Sequence, residues 1–200
     1  MANDTVQSIA ALIEALSVLG ALIFAIWGVN AWRKQIIGQR RIDLAESILL
    51  AVFRAKDAFD DIRSPFSQIG EDEIDRFVRD HKLEKGQAIT AALYFNRIER
   101  VNSYKEVFEQ LREPSYKRRV TFNLHDMKYA EAFFQARAEV IGAAQDAIED
   151  LLHGDQIDSE EEKRIRSALY RKHDLSDKIS VSIEKIVKDA SLEFSPILKL

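Results

Sequence analysis

Ile9–Trp32 reads IAALIEALSVLGALIFAIWGVNAW, 24 residues carrying a single charge, Glu14. At about 1.5 Å per residue a helix of this length covers roughly 36 Å, more than the ~30 Å hydrocarbon core of a bilayer. The run is apolar on every side and closes with Trp27 and Trp32, residues that favour the membrane interface. A transmembrane helix is therefore expected over 9–32. The core helix of a soluble domain is the competing reading, and such a helix is usually shorter and polar on one face. A secretory signal peptide would carry Lys or Arg ahead of its apolar core, and residues 1–8 contain neither. Cations follow the span instead, at Arg33, Lys34, Arg40 and Arg41. By the positive-inside rule the short N-terminus (1–8) is expected outside and residues 33–200 in the cytoplasm.

The remaining composition is that of an ordinary folded domain. The chain has 200 residues, 46% hydrophobic and 31% charged, with a mean hydropathy of -0.22. Only 7 Gly and 3 Pro predict long helices with few turns, hence an all-α fold. Cysteine is absent, which excludes disulfides, thiol catalysis and cysteine-bound zinc. A net charge of -4 argues against a general nucleic-acid binder, though a local basic patch would survive that average.

Within the span, Ala10, Glu14, Ser17, Ala21, Ala25 and Gly28 share one helical face at about 100° per residue, while Leu12, Leu16, Leu19, Ile23, Ile26 and Trp27 lie opposite. Small residues let helices approach closely in lipid, and an intramembrane acid faces a helix assembly or a wet lumen. Homo-oligomerisation through Glu14, Ser17, Ala21, Ala25 and Gly28 is the resulting expectation, with Trp27, Trp32, Arg33 and Lys34 as interfacial anchors. Glu14 also lies little more than a turn inside the outer boundary, and reaching the headgroups is the plainer alternative.

Downstream, Leu44, Ile48, Val52, Ala55, Phe59 and Ile62 recur at helical spacing, and this helix is expected to run on from the span with Gly38 as its weak point. Ser64-Pro65 ends it. Further helices are predicted at Asp75–Leu83, Gln87–Leu111 (stopped by Pro114) and Asp126–Leu152. Ile89, Leu93 and Ile98 of the second, and Ala138 of the third, are expected inward. Residues 115–124 read as a basic connector with a brief extended stretch. Ser159 with Glu162 suggests a capping box opening a helix to about Arg171. Ser176 or Asp177 opens the last helix, and Pro196 falls in a tail. The cytoplasmic part reads as one bundle of about four longer helices and one or two short ones.

Catalytic motifs are sparse: the chain has no phosphate-binding glycine loop, nucleophile elbow or paired-histidine zinc site, so no cofactor or metal is expected. His81, His125, His153 and His173 stand near predicted helix ends, where a histidine often just answers the dipole. Arginines nevertheless precede three of them: Arg76 before His81, Arg118 and Arg119 before His125, and Arg166 before His173, with four to six residues between. Histidine could move the proton of an attacking hydroxyl while arginine stabilises charge on a phosphate. Lys117-Arg118-Arg119, with Arg112 and Lys128 nearby, could receive a phosphate, an acidic partner or anionic headgroups. Tyr116 and Phe122 beside them would suit base stacking on RNA. Solvated surface charge is the simpler account of all these residues.

Trp32 to Phe66, with Trp32, Arg33 and Gln35 after the span and Arg63, Pro65 and Phe66 at the helix stop, resembles a group of small, largely uncharacterised bacterial proteins. These are built as one N-terminal span plus a helical cytoplasmic domain. The Arg–His spacing is similar to the loose motif of the HEPN superfamily, helical bundles many of which cut RNA. HEPN nucleases usually place a polar residue after the arginine, and here only Arg166 does so, with Ser167. The layout is also similar to HEPN-like membrane accessory proteins found beside RNA-guided RNA-cleaving CRISPR nucleases, which assemble into rings that breach the inner membrane. The resemblance implies a bacterial inner-membrane protein with a HEPN-like bundle. Three functions are open at this point: a non-enzymatic, oligomerising pore effector in anti-phage defence, a tethered adaptor that docks a cytoplasmic protein, and a HEPN-type ribonuclease using Arg118 or Arg119 with His125, or Arg166 with His173.

Overall fold

The computed structural model describes residues 2–66, 69–122, 127–153, 158–172 and 177–198, with the side chains of all but 2–12, 15 and 122. Every regular element among them is an α-helix, as the scarcity of Gly and Pro predicts. Helix α1 spans Ala2–Ile62, beginning ahead of the expected Ile9 and running without interruption past Gly38. It contributes to two compact units, Met1–Asp43 and Leu44–Leu200. In the first, the apolar side chains are not covered by the chain: Leu19, Ile23 and Phe24 are all exposed. This helix is long and apolar enough to cross a membrane, and none of its apolar window is buried.

In the second unit the expected inward face of α1 is the buried one, with Leu44, Ile48, Val52, Ala55, Phe59 and Ile62 all in the core. Phe59 meets Phe108 edge-on at 5.2 Å and Phe133 at 5.9 Å between ring centroids. Helix α2 is Glu71–His81, earlier than Asp75–Leu83. Glu71, Asp72 and Glu73 in its first turn and Arg79 and His81 in its last suit the helix dipole, and Lys82 in the left-handed region (φ 54°) ends it. Helix α3, Lys85–Ser103, opens on a capping box formed by Glu84 and Gln87.

The predicted helix Gln87–Leu111 is two helices. Tyr104 (φ -91°, ψ 10°) separates α3 from α4, Lys105–Glu109, with neither Gly nor Pro to announce the break. The expected connector at 115–124 is also corrected, because Arg112–Phe122 forms helix α5. Pro114 sits in its first turn, where a missing N–H loses no intrahelical bond, so it opens a helix rather than stopping one. Helix α6, Lys128–His153, packs against α3, α7 and α8. Its buried face holds Ala136, Ala143, Ala144 and Ala147, whereas Ala138 is exposed; on α3, Ala88, Ala91 and Ala92 are buried and Ile89 is 37% exposed. Small side chains let these helices approach closely, and the larger apolar residues flank the seam.

Helix α7, Ser159–Leu169, is capped by Asp158 rather than Ser159, the Asp158 side chain accepting from Glu160 N and Glu161 N. Helix α8, Lys178–Leu198, begins after Asp177 and includes Pro196, which the sequence had suggested for a tail. The proline lies in the last turn, where it forgoes a single N–H bond and only two residues of helix follow.

One buried arginine ties α1, α7 and α8 together. Arg63, 2% exposed, donates through Nε to Ala168 O (2.9 Å), through Nη1 to Ser180 Oγ (3.0 Å), and through Nη2 to Ser167 O (2.7 Å), Tyr170 O (2.9 Å) and Asp177 Oδ1 (2.7 Å). The carbonyls at the end of α7 are among those a helix leaves without internal partners, and the guanidinium fork satisfies three of them at once. Asp177 Oδ1 also accepts the Ser180 N–H (2.9 Å), so one carboxylate caps α8 and neutralises Arg63. Burial alone would raise the Asp177 carboxyl, but its bonds from Ser180 and Arg63 outweigh it and hold it below the usual carboxylate range.

Candidate functional site

The residues expected to mediate assembly in lipid, Glu14, Ser17, Ala21, Ala25 and Gly28, are all exposed on α1, as are Trp27, Trp32, Arg33 and Lys34. The Ser17 hydroxyl donates to Ile13 O at 2.8 Å, so this polar group is satisfied within its own helix.

Arg118 is not a solvated cation. It is 3% exposed and donates to Glu193 of α8 through Nε (3.0 Å) and Nη2 (2.9 Å to Oε1, 3.2 Å to Oε2). The Tyr129 hydroxyl donates to the same carboxylate at 2.6 Å, and Lys128 Nζ lies 3.2 Å away. Burial would raise Glu193, yet the bonds from Tyr129, Arg118 and Lys128 outweigh it and hold the carboxyl below its ordinary range. Tyr129 is pushed up, chiefly by burial and then by its bond to Glu193. Arg119, one residue on, is exposed. Their proposed partner His125 lies outside the described residues.

Glu193 and Asp177 together set an acid limit. Both carboxyls titrate lower in the folded chain than the unfolded values of about 4.3 and 3.9. The unfolded chain therefore binds more protons in acid, and their contribution, complete above those values, is lost as pH falls through the folded pKa values. Thermal stability followed by circular dichroism should change little from about pH 7 to pH 5 and drop below about pH 4. A loss already complete at pH 5 would contradict this pairing.

Of the Arg–His combinations, only Arg76 and His81 are both described. They stand on α2 and line a pocket of about 340 Å³ with Asp80, Phe77 and Phe95. The Arg76 guanidinium lies 5.2 Å from the Phe95 ring centroid, and the His81 ring is 5.7 Å from Phe77. Cation–π and ring packing account for both placements. His153 is exposed, its Nδ1 2.9 Å from Glu149 O. His173, the expected partner of Arg166, lies outside the described residues.

Arg166 itself lines a cleft of about 970 Å³ between α3 and the α7 end. The aromatic walls are Tyr94 and Tyr170. Five cations line it, Lys163, Arg164, Arg166, Arg171 and Lys172, against one acid, Glu160. Several are paired: Lys163 with Glu160 (2.7 Å), Arg166 with Glu162 (3.4 Å), Arg171 with Asp60 (3.0 Å), and Arg164 with Asp146 (2.8 Å) and Glu161. The two i,i+3 and i,i+4 pairs of Lys163 and Arg166 are exposed and weak, so these cations can exchange partners. Arg171 and Lys172 are placed by the Arg63 network: Arg171 N donates to Arg63 O (3.1 Å) and Lys172 N to Asp177 Oδ2 (3.3 Å). Burial pushes the Tyr94 hydroxyl up, so it stays protonated and able to donate.

Behind Tyr170 stands Arg97, fully buried, its Cζ 4.9 Å from the ring centroid. Nη1 donates to Ile62 O at 2.6 Å, while Nε and Nη2 meet no acceptor among the described residues. Burial lowers the Arg97 pKa from its usual value.

Comparison with protein-family models, curated proteins and solved structures finds no match to this chain.

The cleft was not foreseen as a site. Its signal in the sequence is modest: Lys163-Arg164-x-Arg166 and Arg171-Lys172 bracket the end of a short helix, and the acids Glu160, Glu161 and Glu162 directly before them make the region read as a solvated face. Tyr94 comes from a helix some seventy residues away, which only packing could reveal. Among the described residues no three acidic or histidine side chains converge on a metal-sized site.

Proposed function

We propose that this chain is a membrane-anchored effector that acts by assembly rather than catalysis. In this reading its spans associate through the face bearing Glu14 and open a pore in the bacterial inner membrane, in defence against phage. The supporting observation is the uncovered apolar surface of α1, where Phe24 and Trp27 are each 76% exposed and Ile13, Leu16 and Ile23 more than half exposed. Such a surface calls for hydrocarbon around it. Glu14 on the small-residue face favours neighbouring copies over lipid alone, because an acid at depth is costly unless it faces another helix or a lumen. Arg33, Lys34, Arg40 and Arg41 support an outside N-terminus and a cytoplasmic bundle. The defence role rests on the likeness of layout to the CRISPR-associated accessory proteins.

The detergent-solubilised full chain is expected to elute as an oligomer and to release a trapped dye from liposomes. Glu14→Leu should reduce release at least tenfold at equal incorporation. A strict monomer under all conditions, or unchanged release by the variant, would remove this reading.

A tethered adaptor is the second reading, favoured by Leu50 and Phe53, which are 48% and 44% exposed on the second unit's part of α1. Its mark would be a stoichiometric protein partner captured by the full chain without any membrane leakage. The ribonuclease reading draws less support, since Arg118 is committed to Glu193. Intact cellular RNA on overexpression, with no change of phenotype in His125→Ala and His173→Ala, would dispose of it.

A further inference from the structure

We propose that the cleft between α3 and α7 binds a nucleotide, a ligand joining an aromatic base to a phosphate. A volume of about 970 Å³ lies in the range of small-ligand sites and is far below what a folded partner needs. Among the described residues five cations line the cleft, and although four of them have acidic partners, those of Lys163 and Arg166 are local and exposed, so an anion can compete for them. Lys163 and Arg166 reach it from an exposed helix face, where their acidic partners are local and weakly held, and a phosphate with three acceptor oxygens competes well for them. Lys172 adds a cation whose backbone is fixed by Asp177.

The aromatic half of the ligand is set by Tyr94 and Tyr170. Tyr170 is pinned by the Arg97 guanidinium packed on its ring, so it offers a stacking surface whose rotamer is already paid for. The Arg97 guanidinium packed against this wall puts positive charge behind it, and two of its donors find no acceptor among the described residues. Base stacking on tyrosine with the phosphate held by Arg and Lys is the arrangement such a wall and rim accommodate. A free nucleotide and a single-stranded RNA end share this chemistry. The proposal does not depend on pore formation, and either can fail without the other.

The experiment is calorimetric titration of the full chain in detergent with adenosine monophosphate, adenosine, inorganic phosphate and a single-stranded ten-nucleotide RNA. Adenosine monophosphate is expected to bind saturably, with adenosine and phosphate each at least tenfold weaker. The double variant Arg166→Gln/Lys172→Gln should weaken the nucleotide at least tenfold with helix content unchanged. Leu93→Trp, which fills the cleft from α3 without touching charge, should do the same. RNA that competes with the nucleotide and weakens in the same variants identifies a polymer end as the source of the same chemistry. Absence of saturable binding by both nucleotide and RNA overturns the proposal. So does phosphate binding as tightly as the nucleotide, or unchanged affinity in both variants.

Discussion

Arg63→Met is expected to lower the stability of the full chain by about 3–5 kcal/mol, to be read by urea unfolding in mild detergent followed by circular dichroism. The substitution keeps most of the side-chain volume but removes five donated hydrogen bonds. It strands the fully buried Asp177 carboxylate and leaves the carbonyls of Ser167, Ala168 and Tyr170 short of donors. An unpaired buried charge is costlier than an absent pair, so Arg63→Met/Asp177→Leu should recover part of the loss. Arg63→Lys should remain well below wild type, because a single ammonium cannot reach the fork of acceptors. A cost under about 1 kcal/mol for Arg63→Met would mean that Arg63 does not hold the end of α7 to α8.

Leu19→Lys/Ile23→Lys is expected to remove the chain from the membrane. The two positions lie near the middle of the apolar segment, on the side away from Glu14, and their side chains are 55% and 59% exposed. A lysine at the centre of a spanning helix costs about 2.5–3.5 kcal/mol in apparent insertion free energy, and two of them exceed what the remaining apolar residues readily offset. After ultracentrifugation and a carbonate wash, the unmodified protein should remain with the pellet and the double variant should leave it. Equal retention of both proteins would show that the apolar length of α1 is not what holds the chain to membranes.

The sequence was most legible where one strong signal dominated. An unbroken apolar run announces α1, and the spacing from Leu44 to Ile62 marks the face that is buried, since large side chains there fill the space between helices. The start of α8 was recognisable to within a residue, at Ser176 or Asp177, because a hydroxyl or carboxylate ahead of an apolar-periodic segment reads as a cap. Elsewhere packing overrode local signs. Nothing in the residues around Tyr104 marks the break between α3 and α4. Pro114 reads as a stop, yet a proline belongs equally well to a first turn, and only the course of the chain decides. On α3 and α6 many of the buried positions are alanines, which periodicity weighs less than larger residues. Arg63, Arg97 and Arg118 look like surface residues by type; burial became tolerable through partners more than thirty positions distant in the chain. The cleft, assembled from such distant parts, was correspondingly hidden.

The bonds that satisfy Arg63 link it to residues 104 to 117 positions later. On a ribosome adding about 5–20 residues per second, its acceptors therefore emerge several seconds or more after Arg63 itself. The nascent bundle must wait with a bare cation at the end of its first helix until those distant partners arrive. A product cut short before Asp177 would lack the carboxylate that neutralises Arg63, and its bundle would remain unfinished.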